Sequence, residues 1–159
     1  MTNLTGNTPW PAPLPPPEAR YPVEVLDPDN EDDGRIVDNV ATLEAAVVGH
    51  RIIKTEQRMI DGKYGYQDRN VFVITLDDGH EVRLRNTDDC CAFTELEAFL
   101  LHPDKVDHVI MGVGTTESYT KWHIYADWGD VLELTVGWSC GNPFYYGYGF
   151  DIEVVPVDA

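Results

Sequence analysis

Basic residues are scarce. Eleven Lys and Arg stand against 28 Asp and Glu, a formal net charge of −17. That charge repels phosphate backbones and anionic membranes at long range, so nucleic acid and lipid headgroups are not expected as direct partners. It attracts basic protein surfaces, including those that normally hold nucleic acid, and otherwise serves solubility. Cysteine is scarce as well: three residues cannot form the framework of a small secreted domain, and a reducing cytoplasm is the expected location. No stretch approaches the ~18 consecutive apolar residues of a membrane span. Residues 1–17 hold no basic residue and no apolar run, so a signal peptide is not expected and the mature protein should start where the sequence starts. P-loop, G-x-G-x-x-G and H-E-x-x-H patterns are lacking, and Gly112-Val113-Gly114 is not followed by the helix a phosphate loop needs.

Proline, by contrast, is concentrated at one end. Pro9, Pro11, Pro13, Pro15, Pro16, Pro17, Pro22 and Pro28 fall within the first 33 residues. Proline fixes φ and removes backbone donors, which excludes helix and inner strand and leaves an extended, largely polyproline II arm. Trp10, Leu14, Tyr21, Val23, Val25 and Leu26 make it too apolar for a spacer, so it is expected to dock, either on its own domain or on another chain. Asp27, Asp29, Glu31, Asp32 and Asp33 then form an acidic stretch that lacks the calcium-loop pattern and reads as a solvated hinge. The chain divides into an arm, residues 1–37, and a single α+β domain, residues 38–159.

Within that domain, Asp38 or Asn39 caps a short helix over residues 40–47, stopped by Gly49. Beyond His50 the apolar period becomes two. Strands are predicted over residues 51–59, 70–76, 81–85, 106–114, 119–126, 131–137 and 150–155. Asp78-Gly79 marks a tight hairpin whose buried face is Phe72, Ile74, Leu76, Val82 and Leu84. Thr94 and Glu97 resemble a capping box, and Phe93, Leu96, Phe99 and Leu100 make a stripe, so a helix over residues 95–101 is expected to pack on the sheet. Trp122, Ile124 and Ala126 are expected to face in, and Tyr119, Lys121, His123 and Tyr125 to face out. The whole is a mostly antiparallel sheet of about six or seven strands with one packed helix and an extended arm.

The Gly-His-Arg-Ile-Ile strand (49–53), the Leu-Asp-Asp-Gly turn (76–79), the Asp-Asp-Cys-Cys-Ala turn (88–92), Val-Asp-His-Val-Ile (106–110) and the closing Gly/Tyr-rich strand (145–152) follow one another in a set order. That order resembles a family of domains of unknown function common in bacteriophages and prophages, especially of actinobacteria. The resemblance covers residues 48–155 and omits the arm. It implies a small α+β phage accessory domain and transfers no catalytic or binding residue.

Candidate chemistry is thin. Cys90, Cys91 and Cys140 with His80, His102 or His123 lack zinc-ligand spacing, and Cys91, His123 and Asp127 assemble as a nucleophilic set only on paper. No catalytic residue, metal or cofactor is therefore expected. The favoured reading is a non-enzymatic phage protein of the host cytoplasm that binds a host or phage protein. Its surface would comprise Trp10, Leu14 and Tyr21 of the arm and Trp138, Phe144, Tyr145, Tyr146 and Tyr148 of an aromatic Gly/Tyr segment. One alternative is a virion component whose arm reaches a neighbouring subunit, including another copy of the chain. A second is a small-ligand or nucleotide binder in which Arg83, Arg85, Lys121, His123 and Tyr125 hold an anion.

Overall fold

The structure is a computed structural model that describes residues 21, 24, 35–60, 69–88, 92–139 and 149–156. Among these are one α-helix, α1 (Arg35–Val47), and nine strands: β1 (Ile52–Ile60), β2 (Arg69–Leu76), β3 (Glu81–Arg85), β4 (Thr87–Asp88), β5 (Phe93–Leu101), β6 (Gly112–Thr116), β7 (Lys121–Ala126), β8 (Gly129–Ser139) and β9 (Asp151–Val155). Every strand pairing is antiparallel. The α+β class with a predominantly antiparallel sheet is thus what the chain adopts, but the strands divide between two sheets. One has the order β1-β2-β3-β9 and the other β4-β5-β8-β7-β6.

The hairpin forms as its turn residues dictate: Gly79 takes φ +87° and β2 pairs with β3 in the register Ile74 to Val82 and Phe72 to Leu84. Phe72, Ile74, Leu76, Val82 and Leu84 are all buried, and they share one apolar cluster with Trp122, Ile124, Leu132 and Leu134 of the second sheet. The cluster also takes in Ile36, Leu43 and Val47, spaced along one side of α1. α1 packs against β6 and β9, an edge strand of each sheet. Its Glu44 carboxylate accepts a hydrogen bond from the edge amide of Val113 (3.0 Å), which blunts that edge against further pairing. Gly49, at φ +89°, ends the helix as expected, but the helix begins at Arg35 rather than near residue 40. Asn39 is consequently no cap. Its amide donates to the Phe150 carbonyl and its carbonyl accepts from the Phe150 amide, both at 2.9 Å, while Gly149 lies close enough that a Cβ would stand 2.5 Å from the Asn39 side chain.

Residues 95–101 are not a helix. They belong to β5, which pairs with β8 from Phe93 opposite Ser139 to Leu101 opposite Leu132. A register shift between Leu96 and Ala98 breaks the alternation that would have revealed a strand, and the apolar spacing left behind imitates a helical stripe. Residues 106–111 likewise lie outside a strand, and β6 starts only at Gly112.

A candidate binding seat on the second sheet

β6 and β7 are joined by Glu117, Ser118, Tyr119 and Thr120, and the first three have φ of 57°, 58° and 62°. Three consecutive non-glycine residues in the left-handed region cost roughly 1 kcal/mol or more apiece. Fixed partners hold the turn. The Trp122 indole donates to the Tyr119 carbonyl (2.8 Å), the Trp138 indole to the Ser118 carbonyl (3.0 Å) and the Thr120 hydroxyl to the Glu117 carbonyl (2.6 Å). As a result the amides of Ser118 and Tyr119 converge on one point. The carboxylate of Glu24 accepts from both, at 2.7 and 2.9 Å.

Tyr21, three residues earlier in the chain, occupies the neighbouring strand surface. Its ring stacks on His123, with centroids 4.3 Å apart and planes 11° from parallel, and leans on Tyr125 at 5.3 Å. Its hydroxyl donates to Asp130 Oδ1 (2.6 Å). Asp130 Oδ2 takes His123 Nδ1 at 2.8 Å, and His123 Nε2 lies 2.7 Å from the Thr116 hydroxyl. Burial works against the charge of Asp130, but the hydrogen bonds from His123 and Tyr21 and the nearby imidazoles outweigh it, so its carboxyl sits below the ordinary value. Gly114 makes room: a Cβ there would meet the Tyr21 Cβ at 2.3 Å, and one on Gly112 would meet the Tyr125 hydroxyl at 2.5 Å. Gly112 and Gly114 therefore give clearance to the Tyr125 and Tyr21 side chains.

The sequence expectations fare unevenly here. Tyr119, His123 and Tyr125, expected to face out, are buried: Tyr119 joins the core cluster from the turn, and His123 and Tyr125 lie against Tyr21 rather than solvent. His123 takes its acid partner from Asp130, whereas Asp127 pairs with His108 (3.0 Å). Of the expected protein-binding residues, Tyr21 stacks on His123 of β7 and Trp138 donates to the Ser118 carbonyl of the left-handed turn. Trp10, Leu14, Phe144, Tyr145, Tyr146 and Tyr148 lie outside the described residues, as do Cys90, Cys91 and Cys140. The five ligand-binding candidates fall on separate sheets. Lys121, His123 and Tyr125 lie on β7, with Lys121 donating to Thr135 (3.1 Å), while Arg83 and Arg85 lie on β3. Arg83 is bound to Glu81 (2.9 Å); Arg85 is buried, reaches Glu153 only at 3.5 Å, and finds no partner for Nε or Nη1 among the described residues. Glu24, Thr116 and Asp130 escaped the sequence reading. A polar Glu-Ser pair directly after the Gly-x-Gly strand was the available sign of an unusual turn.

In chemical terms the seat accepts a ring flat against an imidazole and an anion on two backbone amides. Thr116, His123 and Asp130 also have the connectivity of hydroxyl, base and orienting acid, but Tyr21 covers the imidazole face. His123, Asp130 and Glu133 place one ligand atom each within 4.8 Å of one another, a spacing that a divalent cation would fit; Glu133 is held by His102 at 2.6 Å.

The family model of DUF7448, a domain of unknown function, matches residues 45–152. The chain belongs to this family. No curated protein and no solved structure matches it. The DUF7448 match takes in the left-handed turn and every part of the seat, and leaves out Tyr21, Glu24 and the first ten residues of α1.

Proposed function

We propose that the protein is a bacteriophage-encoded, non-enzymatic interaction protein of the host cell, one that engages a host or phage protein through its arm and its aromatic Gly/Tyr segment. The observation that carries this reading is the docking of Tyr21 and Glu24. An arm segment with a stacked ring, a part-buried hydroxyl bond and a two-amide carboxylate contact is a recognition element, since a spacer needs none of these. Phage origin is supported by the order of short motifs described above, and the acidic surface suits a basic protein face. The test is affinity capture from host lysate with the full chain and with a chain beginning at Arg35, which keeps α1 whole. A partner recovered by the first and lost by the second is the expected result. Equal recovery by both, or recovery by neither, overturns the role of the arm. Cofractionation with purified particles would move the reading to a virion component.

Arg85 favours a second reading, the binding of a small anion. A buried guanidinium with two nitrogens that find no partner among the described residues is costly unless something occupies them. Thermal shifts with inorganic phosphate and a nucleotide panel decide it: stabilisation that disappears in Arg85→Met supports the anion site, and no shift with any member removes it.

A further inference from the structure

The seat already holds a ligand, and that ligand is a short piece of this same chain. Tyr21 and Glu24 hold it through side chains: a ring on His123, a hydroxyl on Asp130 and a carboxylate on the amides of Ser118 and Tyr119. Nothing in those contacts depends on which copy of the chain supplies the segment. We propose that the surface formed by Gly114, Thr116, the left-handed turn, His123 and Asp130 is a binding site for an aromatic-x-x-carboxylate segment, and that a second copy of this chain supplies it by exchange of arms.

Three observations carry the inference. The turn is built for an anion irrespective of the arm, because its left-handed conformation is held by Trp122, Trp138 and Thr120 of the domain itself. The strand beside it is cleared of side chains by Gly114 where the incoming Tyr21 lies. And ten residues, 25–34, join the ligand to α1, a contour length of roughly 33 Å that lets the segment leave its own seat without disturbing the helix. Docking within one copy and between two makes the same bonds, so the balance is set by effective concentration, of the order of millimolar for a short connection. Micromolar chain is then monomeric with its own arm seated. Exchange takes over when copies are crowded together or when the intramolecular competitor is removed.

This exchange goes beyond the interaction reading and needs only purified protein, so its failure leaves the lysate experiment untouched. Two complementary full-length variants test it. Gly114→Ala blocks the seat sterically and leaves the arm available; Tyr21→Ala/Glu24→Gln removes the ligand and leaves the seat open. The second chain, labelled with nitrogen-15 at about 0.5 mM, is titrated with unlabelled Gly114→Ala chain while the Ser118 and Tyr119 amides are followed; the concentration matches the effective concentration that the intramolecular arm would supply. Both amides are expected to shift, with slower tumbling of the labelled chain. A Gly114→Ala chain that also carries Tyr21→Ala/Glu24→Gln should produce neither effect. The proposal is overturned if the two amides stay in place, or if the armless titrant moves them equally. A synthetic peptide of residues 18–27 that binds the open seat while the Gly114→Ala chain does not would show a purely intramolecular latch, and would equally overturn exchange. Spectral dispersion reports folding throughout; should the double substitution lose it, Glu24→Gln alone is titrated in its place.

Discussion

The ring of Tyr21 lies flat on the imidazole of His123 while its hydroxyl donates to the carboxylate that holds Nδ1 of that imidazole, Asp130. One residue of the arm thus touches both members of a coupled pair. Tyr21→Phe keeps the stack and removes the hydroxyl bond, which at ~1 kcal/mol loosens docking roughly fivefold. Tryptic cleavage after Arg20 reads this: the rate is expected to rise about fivefold in Tyr21→Phe and further in Tyr21→Ala, and an unchanged rate would dissociate the hydroxyl from docking.

Acid should undo the same contact. Asp130, despite its burial, and Glu81, hydrogen-bonded by Arg58 and then Arg83, both titrate below their ordinary values of 3.8 and 4.5. A carboxyl whose folded value is depressed contributes stability above its unfolded value and loses it as pH falls through the folded one. Urea midpoints should therefore hold steady above about pH 5 and fall below about pH 4. Asp130→Asn and Glu81→Gln should each flatten that fall, and a wild-type midpoint independent of pH down to about 3 would contradict the assignment.

Removing the Asn39 amide strands two backbone groups of Phe150 in a buried site. Asn39→Ala is expected to cost about 3 kcal/mol in urea unfolding. Gly149→Ala should also destabilise, since Gly149 has φ +67° and its added Cβ would press on Asn39. The double variant should cost less than the two single losses added together, because shortening the Asn39 side chain removes two of the three clashing atoms and leaves only its Cβ, 2.8 Å away.

The left-handed turn yields a substitution in the opposite direction. Glu117→Gly removes the Cβ penalty at φ 57° and is expected to stabilise by about 0.5 to 1 kcal/mol, with the extra freedom of glycine in the unfolded chain offsetting part of the gain. A lower thermal midpoint would show that the Glu117 side chain has a structural task.

Elements defined by neighbouring residues were legible in the sequence. The Asp78-Gly79 turn and the five apolar residues around it form as their spacing implies, and so does the glycine stop after α1. Elements defined by distant pairing were not. Thr94, Leu96 and Phe99 satisfy a helical pattern locally, and only β8, some forty residues on, makes them a strand; among the described residues the β4 side of β5 is paired only at Phe93 and Thr94, so little else marks its period. For the same reason the facing of β7 was half right. Trp122 and Ile124 reach the core as their alternation requires, but the burial of His123 and Tyr125 depends on a tyrosine about a hundred residues earlier. Tyr21 was visible as an aromatic too apolar for a spacer, while its seat, built from a turn, a glycine clearance and an aspartate beyond the next strand, had no linear signature.

The Asn39 clasp has a consequence for synthesis on the ribosome. It ties α1 to the entry of β9, 111 residues away, and β9 in turn completes the sheet begun by β1, β2 and β3. At about 5–20 residues per second, the buried side of α1 waits roughly 5 to 20 s before Phe150 is made. Until then Ile36, Leu43 and Val47 lack their β9-side packing, and the outer edge of β3 is open. The chain therefore reaches its native fold after β9 leaves the exit tunnel, and a nascent chain stalled before residue 149 is the form in which that apolar helix face would be offered to a chaperone.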